Sequence, residues 1–195
     1  TGALNLGSGT IGGALVANSN GGSITQAGAL VVSGTSTLTA GAGSITLANT
    51  GNSFGNVALS TSSSASIYDS TALDLGSVSV GGTLKAQSAS TVGQSAALVA
   101  GALDLISVGV ATLSDAGNSI GALSANTSGV FTLNNTSANL YLQQLGSTAG
   151  VVTNGNAFNL TNTNTLYLGN GSTNGPINVG GGVATLSSNR ILQYG

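Results

Sequence analysis

The sequence predicts an all-β chain wound into a parallel β-helix, and three observations carry that expectation. Apolar and small polar residues alternate with period two along most of the chain. Related phrases return at spacings of 21 to 27 residues. The straight-chain helix formers are nearly missing: Glu and Met are absent and Lys occurs once, whereas Gly occurs 32 times. Much of the remainder is Ser, Thr and Asn, which favour turns or strands over helix interiors.

The alternation is local and easy to trace. "SITLAN" (44–49), "NVALS" (56–60), "ALDLGSVSV" (72–80), "GTLKAQ" (82–87), "VATLSD" (110–115) and "PINVGG" (176–181) each place apolar residues on one side. This is the pattern of short strands with one buried face. Gly, Asn and Ser clusters interrupt them every few residues. The only proline, Pro176, stands at the start of its strand, where a missing N–H does least harm.

The repeats set the higher order. "ITLANTGNSFG" (45–55) returns as "ATLSDAGNSIG" (111–121), an offset of 66. "SIT" occurs at Ser23 and at Ser44, 21 apart, and "AGAL" at Ala27 and at Ala100. "FTLNNTSANLYL" (131–142) returns as "FNLTNTNTLYL" (158–168), offset by 27 at the phenylalanines and 26 at the tyrosines. "SIYDSTALDLG" (66–76) reads as a looser third copy, with Leu73 and Leu75 in the place of Leu-Tyr-Leu. A strand-only unit of 20–27 residues cannot bury its own apolar face, so neighbouring units must stack as coils. At about 22 residues per coil the chain makes about nine coils, a rod of about 40–45 Å at about 4.8 Å per coil. A β-sandwich is the rival architecture, and the regular spacing favours the solenoid.

Charge content follows from that geometry. Only 3% of residues are charged, against about 25% in ordinary domains. A charge repeated every coil would place like charges about 5 Å apart, which is destabilising. Net charge is −2, with no basic cluster, so nucleic acid and anionic membranes are not expected partners. The longest apolar stretch, 96–106, is too short to cross a bilayer and contains Asp104. No cysteine is present, which removes disulfides and thiol chemistry.

The stretches 28–52, 44–60 and 72–88 resemble the repeats of filamentous-haemagglutinin-like exoproteins, large adhesins exported by two-partner secretion. The resemblance is strongest from about Gly22 to Gly121. It implies a right-handed parallel β-helix at the bacterial cell surface, serving adhesion, biofilm formation or toxin display. On this reading residues 1–195 are a single shaft segment of a longer chain, and no Arg-Gly-Asp is present. Cell-surface or matrix glycans and proteins would be met by other parts of that chain. Open solenoid ends imply end-to-end self-association.

Candidate chemistry is sparse. With no His or Cys, a nucleophilic triad has no base. A Ser–Lys dyad would have only Lys85, which alternation places outward on a strand. Asp74 and Asp104 both sit in "LDL", 30 apart, and would have to converge to cleave a glycan. The plainer expectation makes both outward strand residues and makes Asp69 and Asp115 turn formers. No calcium nonapeptide occurs, and Gly180–Gly182 reads as a turn. The chain is therefore expected to be no enzyme and to carry no catalytic residue, cofactor or metal.

Three polar features remain. Thr161, Thr163 and Thr165 alternate, as an ice-binding array would, although ordinary β-propensity explains them. Asn126, Asn134, Asn135, Asn159 and Asn170 fall in Asn-x-Ser/Thr, a match that so Asn-rich a chain makes by chance. In the opening register of the Phe-x-Leu repeat, Phe131, Leu133, Leu140 and Leu142 point inward, each above or below its copy. Asn135-Thr136 and Asn162-Thr163 share a corner. Tyr141 and Tyr167 then point outward, one above the other, and form the candidate contact surface.

Overall fold

The computed structural model describes residues 2–173 and 175–194. Among them there is no helix, and the strands form one 19-stranded sheet of parallel neighbours plus one two-stranded antiparallel hairpin. The chain is a parallel β-solenoid. On one face Leu4 pairs with Ile24, Ile24 with Ile45, Ile45 with Ala65, Ala65 with Leu84, Leu84 with Leu103 and Leu103 with Leu123. From Ile24 to Leu123 every member of that column is buried. The 21-residue spacing of the two "SIT" phrases is one step of it, and the Ser44 backbone N–H donates to Ser23 Oγ at 3.3 Å.

Each coil carries three strand segments. In the coil that begins at Val92, the first face holds Val92–Gln94, the second Leu98–Ala100 and the third Ala102–Ser107. Inward residues from all three meet in a single core of Leu, Ile, Val, Ala and Phe. The strands run longer than the sequence suggests: Leu73–Ser88 is continuous for 16 residues. At the corner between the second and third faces, the ladder shifts register instead of breaking. Gly81 and Gly82 stand there against the single Gly101. A Cβ at Gly101 would collide with the Gly81 carbonyl oxygen of the coil below. Glycine is needed at that corner because two backbones approach closely, with no positive φ involved.

The even period expected does not hold along the whole chain. Steps from Leu4 to Leu123 are 19 to 21 residues, whereas Phe131 to Phe158 is 27. A second correction concerns 66–76. Leu73 pairs with Val92, Val92 with Ala111 and Ala111 with Phe131. Leu73 and Leu75 thus stand in the Phe-x-Leu column, and the stretch is no copy of Leu-Tyr-Leu.

The 66-residue repeat has a clear cause. Asn52 and Asn118 are buried, and each carboxamide joins coils by four hydrogen bonds or more. Asn52 Oδ1 accepts from the Leu30 N–H at 2.9 Å and from Gln26 Nε2 at 2.7 Å, and its Nδ2 donates to the Leu47 carbonyl and Gln26 Oε1. Asn118 repeats this with Leu98, Gln94 and Leu113, and adds the Asn134 carbonyl. A buried amide so fully paired costs little, and an apolar substitute would strand a backbone N–H.

Candidate interaction surface

The charged candidates do not converge. Asp74 lies on the first face beside Gly93 and accepts a hydrogen bond from Asn56 Nδ2 at 2.8 Å. Asp104 lies on the third face, between Lys85 in the coil below and Ser124 in the coil above. Two carboxylates on different faces share no substrate bond. Lys85 is outward and half-buried, as alternation requires. Asp115 forms the expected turn, accepting the Gly117 N–H at 2.7 Å. Among the described residues no three of His, Cys, Asp and Glu gather to hold a metal ion.

The structure adds detail to three of these readings. Asp69 forms the expected turn. It is fully buried, and its carboxylate accepts the Phe54 N–H, the Thr71 N–H and the Thr71 hydroxyl. Asp104 faces outward yet is 3% exposed, because another segment covers it. The threonine array is broken: the register shifts between Asn162 and Thr165, so Thr161 and Thr165 do not stand on one flat ladder. Among the sequons, Asn135 is buried and its amide donates to Asn162 Oδ1 at 2.9 Å, so it is not open to modification.

Tyr141 and Tyr167 sit where the repeat places them. They are register partners, with ring centroids 4.6 Å apart and planes within 10°. Phe131 and Phe158 stack inside the core at 5.2 Å, and Asn135 pairs with Asn162 at the shared corner. A third ring joins. Tyr194 stacks on Tyr167 at 5.5 Å, although Tyr167 pairs in register with Leu192. Tyr194 reaches it from two residues further along the strand, so no repeated phrase in the sequence announces it. The ring faces cover one another, and the stack presents edges and phenolic hydroxyls to solvent.

Beside the stack the coils change shape. Leu123 and Ala125 have only Ser124 between them, but their partners above, Leu142 and Val151, are separated by Gln143–Gly150. One coil higher, Leu168 and Ile177 are separated by residues 169–176. These two insertions account for the lengthened period. Within the first, Gln144–Leu145 and Thr148–Ala149 form the antiparallel hairpin, turning at Gly146 with φ +58°. The hairpin packs on the third face of the two coils below, and there Ala102, Asp104, Ala122 and Ser124 are buried. The Ser124 hydroxyl donates to Asp104 Oδ1 at 3.0 Å under that cover. The second loop closes on Asn170, whose Oδ1 accepts the Ser172 and Thr173 N–H groups. Asn170 Nδ2 donates to Gln143 Oε1 at 2.6 Å and ties the two loops together.

A separate shallow groove on the second face, about 230 Å³, is lined by Thr37, Thr39, Ala58, Ser60, Ser77 and Ser79 among others. It offers hydroxyls without a ring, a carboxamide or a charge, and these groups are equally content with water.

Fold and surface together define a nearly uncharged, repetitive parallel β-solenoid that carries a tyrosine stack and two loops at one end of its third face. The chain belongs to a family of repeats of unknown function (DUF5649), matched at residues 1–61 and again at 62–127. At 19 to 21 residues a step, each matched stretch is about three coils long. The tyrosine stack and its loops lie beyond the matched residues. No curated protein and no solved structure matches the chain.

Proposed function

We propose that this chain is a non-catalytic structural shaft of a secreted or cell-surface bacterial adhesin, of the filamentous-haemagglutinin-like, two-partner-secreted kind. It would serve adhesion, biofilm formation or cell–cell contact. One observation carries the reading: the chain spends its sequence on length. Column after column of identical inward positions builds a rod, and the few carboxylates are buried, in turns or on separate faces. Coils pair through backbone groups, so such rods can also stack end to end into fibres. The alternative is a polysaccharide-binding or polysaccharide-cleaving β-helix; cleavage needs two carboxylates across one bond and has no support from Asp74 and Asp104.

The test is display and mechanics in the producing cell. Antibody raised against the purified chain should label intact cells, and in-frame deletion of this segment should shorten surface fibres and reduce aggregation or surface attachment. Label confined to lysed cells, or a deletion strain with normal attachment, would overturn the reading.

A further inference from the structure

We infer that the tyrosine stack and the two insertion loops form a binding face for a neutral, extended glycan chain lying along the rod axis. A plain coil closes with one residue at the position of Ser124. Two successive coils each put eight residues there instead, Gln143–Gly150 and residues 169–176, and both insertions follow directly on the Leu-Tyr-Leu phrase. In stacked-coil proteins, insertions that gather on one face commonly mark the binding face. The loops are also joined to each other by the Asn170–Gln143 hydrogen bond, so they form one prebuilt surface.

The chemistry of that surface selects the partner. From Asp115 to Arg190 the chain has no charged side chain at all. Asp104, the nearest carboxylate beneath the loops, is covered by the hairpin. What remains is Tyr, Gln, Asn, Ser and Thr, a set that recognises ligands by hydrogen bonds and ring edges, as binding loops built of Tyr, Ser, Gly and Asn do. Arg190 pairs with Thr165 one column away from the stack and is a single cation at its rim. A polyanion would find nothing else to neutralise it.

The stack also imposes a repeat. Three phenolic groups follow one another along the rod at steps of 4.6 and 5.5 Å. A partner that follows those steps needs a repeat of its own along the rod. An extended β-linked polysaccharide has one: its sugars follow one another at a step close to the coil rise, and successive sugars offer hydroxyls of alternate edges. The phenols would hydrogen-bond along its length, while the Gln143 amide and the exposed Gln144 carboxamide would pair with vicinal hydroxyls. Because the tyrosine faces already cover one another, the sugar would meet hydroxyls and edges rather than stack flat on a ring.

This inference is independent of surface display, so either can fail alone. The purified chain is titrated by calorimetry with linear neutral hexasaccharides of β-linked glucose, xylose and N-acetylglucosamine, and with hyaluronate and heparin fragments. At least one neutral chain should bind, with an affinity unchanged between about 50 mM and about 500 mM salt. Tyr167→Phe keeps the ring stack and removes one hydroxyl; it should weaken binding roughly three- to tenfold without shifting the melting temperature. Thr39→Ala, on the second face, should change nothing. The inference is overturned by a failure of all three neutral chains to bind. It is equally overturned by preferential, salt-sensitive binding of the anionic fragments, by binding of a protein partner at this face in their place, or by a Tyr167→Phe variant that binds as the parent does.

Discussion

Asp69 and Asn135, 66 residues apart, play the same part at two different corners of the solenoid. Each is buried, and each accepts the N–H of a residue in the coil below, Phe54 at 2.9 Å and Ile120 at 2.7 Å. One is a carboxylate and the other an amide, so the part calls for an acceptor rather than a charge. Asp69→Asn keeps an oxygen for the Phe54 N–H but sets its amide against the Thr71 N–H, and should cost about 1–2 kcal/mol. Asp69→Ala strands the Phe54 and Thr71 N–H groups together and should cost about 2–4 kcal/mol. Urea unfolding of both variants checks the order, and equal losses would refute it.

Asn118 makes the opposite demand. Its Nδ2 donates to the Leu113 carbonyl, Gln94 Oε1 and the Asn134 carbonyl. Asn118→Asp replaces those donors with an oxygen facing three acceptors and should cost more than Asp69→Asn, about 3 kcal/mol or more. Raising Asp69→Asn and Asn118→Asp side by side separates a need for an acceptor from a need for an amide.

Two glycines of adjoining segments should respond oppositely to alanine. Gly101 faces the Gly81 carbonyl oxygen with no room for a Cβ, whereas nothing lies within 4 Å of a Cβ at Gly93. Gly101→Ala should destabilise by about 1–3 kcal/mol. Gly93→Ala should be neutral or stabilise by up to about 1 kcal/mol, because a strand glycine loses more freedom on folding than alanine does. Thermal melts of the two variants decide it.

Ser36 is the one buried side chain among the described residues whose polar atom has no partner. It pairs with Leu15 below and Val57 above, so a hydroxyl interrupts an apolar column. Ser36→Ala should stabilise by about 1 kcal/mol by removing an unpaired hydroxyl. A melting temperature that falls instead would mean that the hydroxyl has a partner in solution.

Much of the fold was legible because a solenoid repeats its reasons. Ile24 above Ile45, Phe131 beneath Phe158 and Tyr141 beneath Tyr167 all follow from spacing alone. Spacing also finds the two buried asparagines, Asn52 and Asn118, inside a repeated phrase, although it does not say why they are there. Letters set Leu73 and Leu75 beside Leu140 and Leu142, but an offset of about 66 residues moves a phrase to the next face, so matching letters need not share a column. Asp104 reads as solvated because its strand alternates correctly, and burial arrives from a hairpin 40 residues later in the chain. Tyr194 escapes any repeat search, since it meets Tyr167 across a register offset of two.

By itself the sequence determined the architecture: strands by their period of two, coils by their repeats, and low charge by the close stacking of like positions. These are local or nearest-neighbour terms, and each coil states them again. The tertiary structure alone decided which exceptions matter. Whether an extra stretch of residues becomes a loose loop or a cover over Asp104 depends on what lies beneath it, and that is a coil the stretch does not belong to. The tyrosine stack depends in the same way on side chains reaching across coils, beyond what backbone pairing specifies.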